Sequence, residues 1–377
     1  MIILRNVEIL GGPGVRDVII EGQRIREIVS SAPGGDPEIA FGGALAFPGL
    51  INSHDHLEFD CYEQLGGGPY RDYIEWGDAI HRRHAVAIAA VEAVPRALRV
   101  RAGIAKNLLC GVTSVAHHGP DPACAGAPIH VIGGTRTIHS PRLGRLRAML
   151  VPERRLVVAH VGEGVGIEAE REIDTFIRWN VWRKKLIGVH AIAMRADQAE
   201  RFAGLVWCPV SNEFLFGCTA PIARLKKHAA ILFGTDSTLT APWNIWDHLR
   251  RAREQGGLTD EELIAALTTN AALVWNVSNR GYIAAGAAAD IVVARKRHDD
   301  QREAFFAINP EDILLVMTNG VIVLLDAALR TQLGAGANLF PAVVNGVEKF
   351  AAENYLELAR TLRSFLPSIP VPIAANG

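Results

Sequence analysis

The chain has 377 residues, enough for two or three domains of ordinary size, or for one large α/β barrel with a small companion. Its 39 lysines and arginines balance 40 aspartates and glutamates, so nothing marks it for nucleic acid or an anionic membrane surface. The 49% hydrophobic content fits a globular protein, and the 5 cysteines form no Cys-x-x-Cys pair, which argues against a disulfide framework or a thiolate zinc site. No ordered export-signal features open the chain and no run reaches the roughly 18 apolar residues of a membrane span, so a cytoplasmic protein without membrane contact is expected.

In chain order, the first 45 or so residues read as short strands broken by turns, at 2–10, 17–20 and 24–29. The same texture returns after Gly281, with strands at 290–294, 313–317 and 321–325, the last two flanking an Asn319-Gly320 turn. The two ends are expected to build one small β-sandwich domain, residues 1–47 plus 281–330. Between them, residues 48–280 alternate short apolar strands with helical patterns. The strands are expected at 46–52, 113–117, 129–133, 156–160, 187–191, 205–210 and 231–235, and the helices at 95–109, 168–185 and 259–275. Polar residues at the ends of many strands suit an α/β barrel whose active face collects them. Residues 331–377 are expected to add one amphipathic helix, at 338–365, and a proline-rich tail.

The chemistry starts at Phe47-Pro48-Gly49-Leu50-Ile51-Asn52-Ser53-His54-Asp55-His56. In a strand, residues i and i+2 face one side, so His54 and His56 can aim two imidazoles at one metal. Chance alone supplies about 0.4 such pairs in a chain with this histidine content, so the pair is weak evidence by itself. Further strand ends add to it: residues 156–160 deliver His160 with Glu163 just beyond, 186–190 deliver His190, and 231–236 deliver Asp236. Together they can surround one divalent ion and leave a position for water, with Glu163 near enough to move its proton. His117 and His118 end another strand, where alternation lets only one face inward. The stretch holding Glu58, Asp60, Tyr70, Tyr73 and Trp76 offers carboxylates and aromatic faces for a flat amino-substituted ring, or else packs on the barrel rim. Asn212 and Ser211 are placed in the loop after the next-to-last strand.

These motifs, with Cys208-Pro209-Val210-Ser211-Asn212 and Gly234-Thr235-Asp236-Ser237, stand in an order that resembles the amidohydrolase superfamily, and within it the cyclic deaminases and triazine chlorohydrolases. The resemblance implies a distorted (β/α)8 TIM barrel with the site at the carboxyl ends of its strands. It implies His54, His56, His160 and Asp236 as metal ligands, Glu163 as the proton shuttle, and His190 as the group that orients or polarises the attacking water. Many relatives bridge two metals with a carbamylated lysine. Here Lys106 is the only lysine between His56 and His160 and sits in a helical pattern, so one ion is expected, Zn2+ or alternatively Fe2+.

The expected activity is hydrolytic deamination of a small amino-heterocycle or amidine. The rivals are release of chloride or an alkylamine or cleavage of an amide by the same site, and an inactive barrel scaffold. A homodimer is a family-level expectation. The segment from His118 to His160 leaves only about 40 residues for the third and fourth strands, which is short for the roughly 30 or more residues of a βαβ unit plus its flanking connections.

Overall fold

Residues 1–377, apart from 36, 145, 278, 334–337 and 373–377, are described in a computed structural model. Strands β1 (Ile2–Ile9), β2 (Val15–Glu21) and β3 (Arg24–Val29) form an antiparallel run, and β4 (Glu38–Pro48) lies parallel to β1. Gly49 then turns the chain from this sheet into the barrel. A Cβ there would lie 2.2 Å from Thr113 Oγ1, so only glycine lets the two strands pass this closely.

The barrel strands are β5 (Leu50–Asp55), β6 (Val112–His117), β7 (His130–Val131), β8 (Thr135–Ile138), β9 (Leu156–Val161), β10 (Leu186–His190), β11 (Gly204–Trp207) and β12 (Ala230–Phe233). All pair in parallel, as a β5-β6-β7 sheet and a β8-β9-β10-β11-β12 sheet. The barrel closes where Asp236 N donates to the His54 carbonyl at 3.1 Å and Thr235 N donates to Asn52 Oδ1 at 3.1 Å.

Only Ile132, Gly133 and Gly134 separate β7 from β8. Two separate parallel neighbours would need a crossover of a dozen or more residues. The pair is therefore one bent strand that starts beside β6 and finishes beside β9. This is how the short segment before His160 is accommodated: the third and fourth staves of a regular eight-stranded barrel are here a single kinked one.

After the barrel, β13 (Ile291–Ala294), β14 (Ile313–Thr318) and β15 (Val321–Asp326) return to the first sheet, with β13 antiparallel to β4. The last segment departs from the expected single helix. Residues Phe340–Val344 and Val347–Ala351 are strands β16 and β17, and only Tyr355–Arg363 is helical. The reason is local: Asn345 and Gly346 both take positive φ, 47° and 80°, as a tight hairpin turn requires. The nine-stranded sheet runs β16-β17-β15-β14-β13-β4-β1-β2-β3. Its central strands are buried on both faces: Ala46, Ile291 and Val293 enter the sandwich core, while Leu45, Phe47, Val292 and Ala294 enter the barrel core. That explains their nearly continuous apolar sequence.

Helix α1 (Tyr73–Arg83), capped by Asp72, and helix α2 (Ala85–Glu92) follow the first barrel strand and arch over its end. Helix α3 (Arg96–Leu109) leads into β6, and α4 (Ile167–Trp179) follows β9. The helical pattern at 259–275 is two helices, Asp260–Ala266 and Thr269–Trp275, broken at Thr268. Among the described residues no helix is long and apolar enough to cross a membrane.

Candidate metal centre

The parallel barrel points every strand's carboxyl end to one face, and the four expected strand ends meet there. His160 Nε2 lies 3.2 Å from His54 Nε2 and 3.3 Å from His56 Nε2. Asp236 Oδ1 is 3.7 Å from His54 Nε2 and 3.9 Å from His56 Nε2. His190 joins the group, with Nε2 4.0 Å from Asp236 Oδ2 and 3.6 Å from Glu163 Oε1.

Burial brings the pKa of His54 well below its ordinary value, and the neighbouring imidazoles lower it further; His160 is shifted the same way for the same reasons. Neutral imidazole nitrogens are the donors a divalent metal takes, and these face one another. Ligands about 2.0–2.1 Å from a tetrahedral ion stand about 3.3 Å apart, the spacing seen among these nitrogens. The donor set, histidine nitrogens with one carboxylate, fits a single divalent metal site.

The chain holds these groups tightly. Gly234 lets β12 approach the first ligand, because a Cβ there would lie 2.7 Å from His54 Cβ. Asp236 has φ of 60° and His190 has φ of 71°, left-handed conformations that non-glycine residues rarely adopt and that cluster at functional sites. The Asp236 carboxylate accepts from Ser237 N (2.8 Å), Ser211 Oγ (2.8 Å) and Thr240 Oγ1 (3.0 Å). Burial alone would raise its pKa, but His56, His190 and these hydrogen bonds outweigh that and keep it below the usual aspartate value. Glu163 is the opposite case. Burial, with Asp236 and Glu172 adding repulsion, raises its carboxyl well above the usual value.

The loop carrying Glu163 is fastened to the lid helices. Tyr73 N donates to the Glu163 carbonyl at 3.3 Å, and Gly162 N donates to Glu172 Oε1 at 3.0 Å. Arg142 spans Asp72 Oδ2 (2.9 Å) and Glu172 Oε2 (3.0 Å), and Tyr73 Oη donates to the same Glu172 oxygen at 3.2 Å.

Above the cluster lies a cavity of about 300 Å³, walled by Phe59, Tyr62, Tyr73, Trp76, Ile80 and Leu239, with Glu163, His190 and Asp236 at its floor. Of the residues expected to contact substrate, Tyr73 and Trp76 line this cavity. Other candidates of that kind lie outside the cavity lining. Glu58 turns to Arg96 (3.4 Å) and His117 (3.4 Å), and Asp60 is buried against Lys106 at 2.7 Å. Tyr70 Oη accepts from Gly67 N at 2.9 Å. His118 stacks on His160 with ring centroids 4.2 Å apart. Asn212 stands behind His190, its Oδ1 accepting from Nδ1 at 2.8 Å. His139, which reads from sequence as a structural or surface group, instead stands at the cavity rim 5.3 Å from the His160 ring; its place just after β8 was the available signal. Leu239 and the lid residue Ile80 carried no sequence signal at all. Lys106 does not approach the ligand nitrogens: its Nζ donates to Asp60 Oδ1, Asp55 Oδ1 and the Asp236 carbonyl.

Fold and site together define a metal-dependent hydrolase of the barrel type. A sequence profile of the amidohydrolase family matches residues 153–323. That stretch carries His160, Glu163, His190 and Asp236, so the match and much of the metal cluster fall in the same part of the barrel. The structure is similar to that of an adenosine deaminase from Xanthomonas campestris with bound zinc, at 14% identity and a TM-score of 0.74 over 97% of each chain. It is similar to atrazine chlorohydrolase TrzN from Arthrobacter aurescens TC1 complexed with zinc, at 15% identity and a TM-score of 0.70, covering 97% of this chain and 100% of that one. A guanine deaminase from C. acetobutylicum with bound guanine gives 14% identity and a TM-score of 0.65, covering 85% of this chain and 99% of that one. In sequence, an imidazolonepropionase from Thermoplasma acidophilum is 35% identical over 71 residues, a stretch that spans 17% of this chain and 17% of that relative.

Proposed function

We propose that the protein is a hydrolytic deaminase of a small amino-heterocycle or amidine, of the deaminase and triazine-hydrolase kind, with Zn2+ as its ion. The observation that carries this reading is Glu163. It is a buried carboxyl 3.6 Å from His190 Nε2 on the cavity floor, and burial raises its pKa, which favours the protonated, proton-donating form.

The roles follow from position. His54, His56, His160 and Asp236 hold the ion, which when bound lowers the pKa of a water towards neutrality and polarises the substrate. Asp236 Oδ2, fixed by Ser211 and Thr240, accepts the proton that the attacking water loses. Glu163 gives its proton to the ring or imine nitrogen beside the attacked carbon; the proton held by Asp236 then passes to the exocyclic amine, the C–N bond breaks with ammonia leaving, and the hydroxyl proton of the adduct returns to Glu163 as the carbonyl forms. His190 Nε2, which lies between the two carboxylates and whose ring proton is held on Nδ1 by Asn212, accepts a hydrogen bond from the attacking water and orients it.

The cavity narrows the substrate. About 300 Å³ accommodates one or two fused rings, and the walls are largely aromatic and aliphatic. Among the described residues no lysine or arginine lines it, so none of these offers a cationic partner to a substrate carboxylate or phosphate. A neutral or cationic flat ring suits it.

Ammonia release from zinc-loaded protein against aminopurines, aminopyrimidines, aminotriazines, formimino compounds and adenosine-type nucleosides tests the reading. Release that disappears in Glu163→Gln, with metal retained, supports it. Release of chloride, an alkylamine or an amide fragment in place of ammonia moves the protein to the alternative hydrolase reading, and unchanged turnover in Glu163→Gln overturns the assignment of the proton donor.

A further inference from the structure

The bent strand leaves a gap in the barrel wall beside the metal ligands. β7 follows β6 as far as the bond from Ile132 N to the Val115 carbonyl at 2.9 Å, and beyond it Ala116 and His117 have no ladder partner on that side among the described residues. β8 pairs only with β9. A side-chain bond from Thr137 Oγ1 to the Gly119 carbonyl, at 3.4 Å, spans the opening.

Outside the gap is a cavity of about 610 Å³ bordered by His117, Cys124, Gly134, Thr135, Thr137 and Arg155. Inside it is a chamber of about 10 Å³, enclosed by His117, His118, Thr135, Thr137 and the ring of His54. The two have His117, Ile132, Thr135 and Thr137 as common walls. The chamber has room for about one water molecule. A second observation calls for such a guest. Both ring nitrogens of His118, a residue only 4% exposed, have no hydrogen-bond partner in the protein. Buried polar groups are nearly always paired with protein or with ordered water.

We infer that this gap is a lateral water port: water enters from the outer cavity, passes the neck formed by Thr135 and Thr137, and reaches the ligand cluster from behind while the organic substrate occupies the aromatic cavity above. Each hydrolysis consumes a water, and a substrate seated between Trp76 and Tyr73 shuts the main mouth to its replacement. The port rests on the site being hydrolytic and not on which group leaves.

Water access is read without turnover, from the relaxation of bulk-water protons by Mn2+ bound in place of the native ion. Gly77→Trp plugs the main cavity, because Gly77 lines it and a Cβ there meets nothing within 4 Å. Thr137→Leu fills the neck of the port. Either variant alone is expected to keep most of the relaxation enhancement, and the two combined to lose it several-fold, at equal metal content by elemental analysis. Loss in Gly77→Trp alone means a single route and overturns the port. Full enhancement in the double variant puts Thr137 off any water route and overturns it as well. If Thr137→Leu does not fold, a bulky maleimide on Cys124 in a Cys218→Ser background closes the outer cavity with the same two outcomes, since Cys61, Cys110 and Cys208 are buried. Ammonia release that survives a failed port experiment leaves the deaminase reading standing.

Discussion

His190 Nδ1 donates to Asn212 Oδ1 at 2.8 Å, and Asn212 is held in turn by a bond from its Nδ2 to Thr219 Oγ1 at 3.3 Å. The Nδ1 proton is thereby fixed on the side away from the cluster, and Nε2 faces Asp236 and Glu163. Groups that orient a catalytic or ligating histidine in this way are typically worth about 10- to 100-fold. Asn212→Leu is expected to lower kcat by about that factor with little change in KM and to shift the pH profile, while Asn212→Asp, which keeps the acceptor, restores most of the rate. Equal losses in the two variants would show that the hydrogen bond does not set the orientation.

As the proposed proton donor, Glu163 is expected to set the alkaline side of the activity profile. Its folded pKa is raised by burial, and the form that donates is the protonated one. Activity is therefore present below the raised value and is lost as pH rises through it. A kcat profile measured with saturating substrate should show an alkaline limb that disappears when the residual rate of Glu163→Gln is followed instead. The same limb in both proteins would assign it to another group.

Lys106 is 1% exposed and neutralises two buried carboxylates, Asp55 at 3.0 Å and Asp60 at 2.7 Å, while also holding the Asp236 carbonyl at 3.1 Å. Removing one side of a buried ion pair typically costs about 3–5 kcal/mol. Lys106→Met is expected to lose stability of this order in urea unfolding, and adding Asp60→Asn to recover part of it by removing a stranded charge. A change below about 1 kcal/mol in Lys106→Met would mean that the carboxylates find another partner or a proton.

Gly234 ties barrel closure to metal affinity. Gly234→Ala places a Cβ 2.7 Å from His54 Cβ, closer than real contacts allow, so β12 or the histidine must move. Overpacking of this kind costs about 1–3 kcal/mol, and here it falls on the separation of a ligand pair. Metal-buffer titration should show an affinity about 10-fold or more below wild type. Wild-type affinity in a folded variant would show that the strain is relieved elsewhere.

Much of the centre was legible because its signals are local. An apolar run ending in histidine or aspartate reports both a barrel strand and the face its end presents, so His54, His56, His160, His190 and Asp236 could be assembled before any fold was known. The composite sheet was legible for a similar reason, since β4 and β13 are apolar at nearly every position and must be covered on both faces. Within residues 338–365 the local signal was present but outweighed by apolar spacing: Asn345-Gly346 makes a hairpin where one helix was expected.

What the amino-acid sequence determined by itself is the residues of the candidate metal cluster, the order of the strands that deliver them and the presence of a carboxyl beside them. Each of these depends on residue type and on a periodicity of two along a strand. Tertiary structure alone decided that Glu58 and Asp60 turn to Arg96 and Lys106 rather than into the cavity, that Asn212 stands behind His190, and that one bent strand serves as two staves and opens a gap beside His118. Those facts depend on which distant segments meet, and pairings between residues tens to hundreds of positions apart leave no mark in the local pattern of either segment.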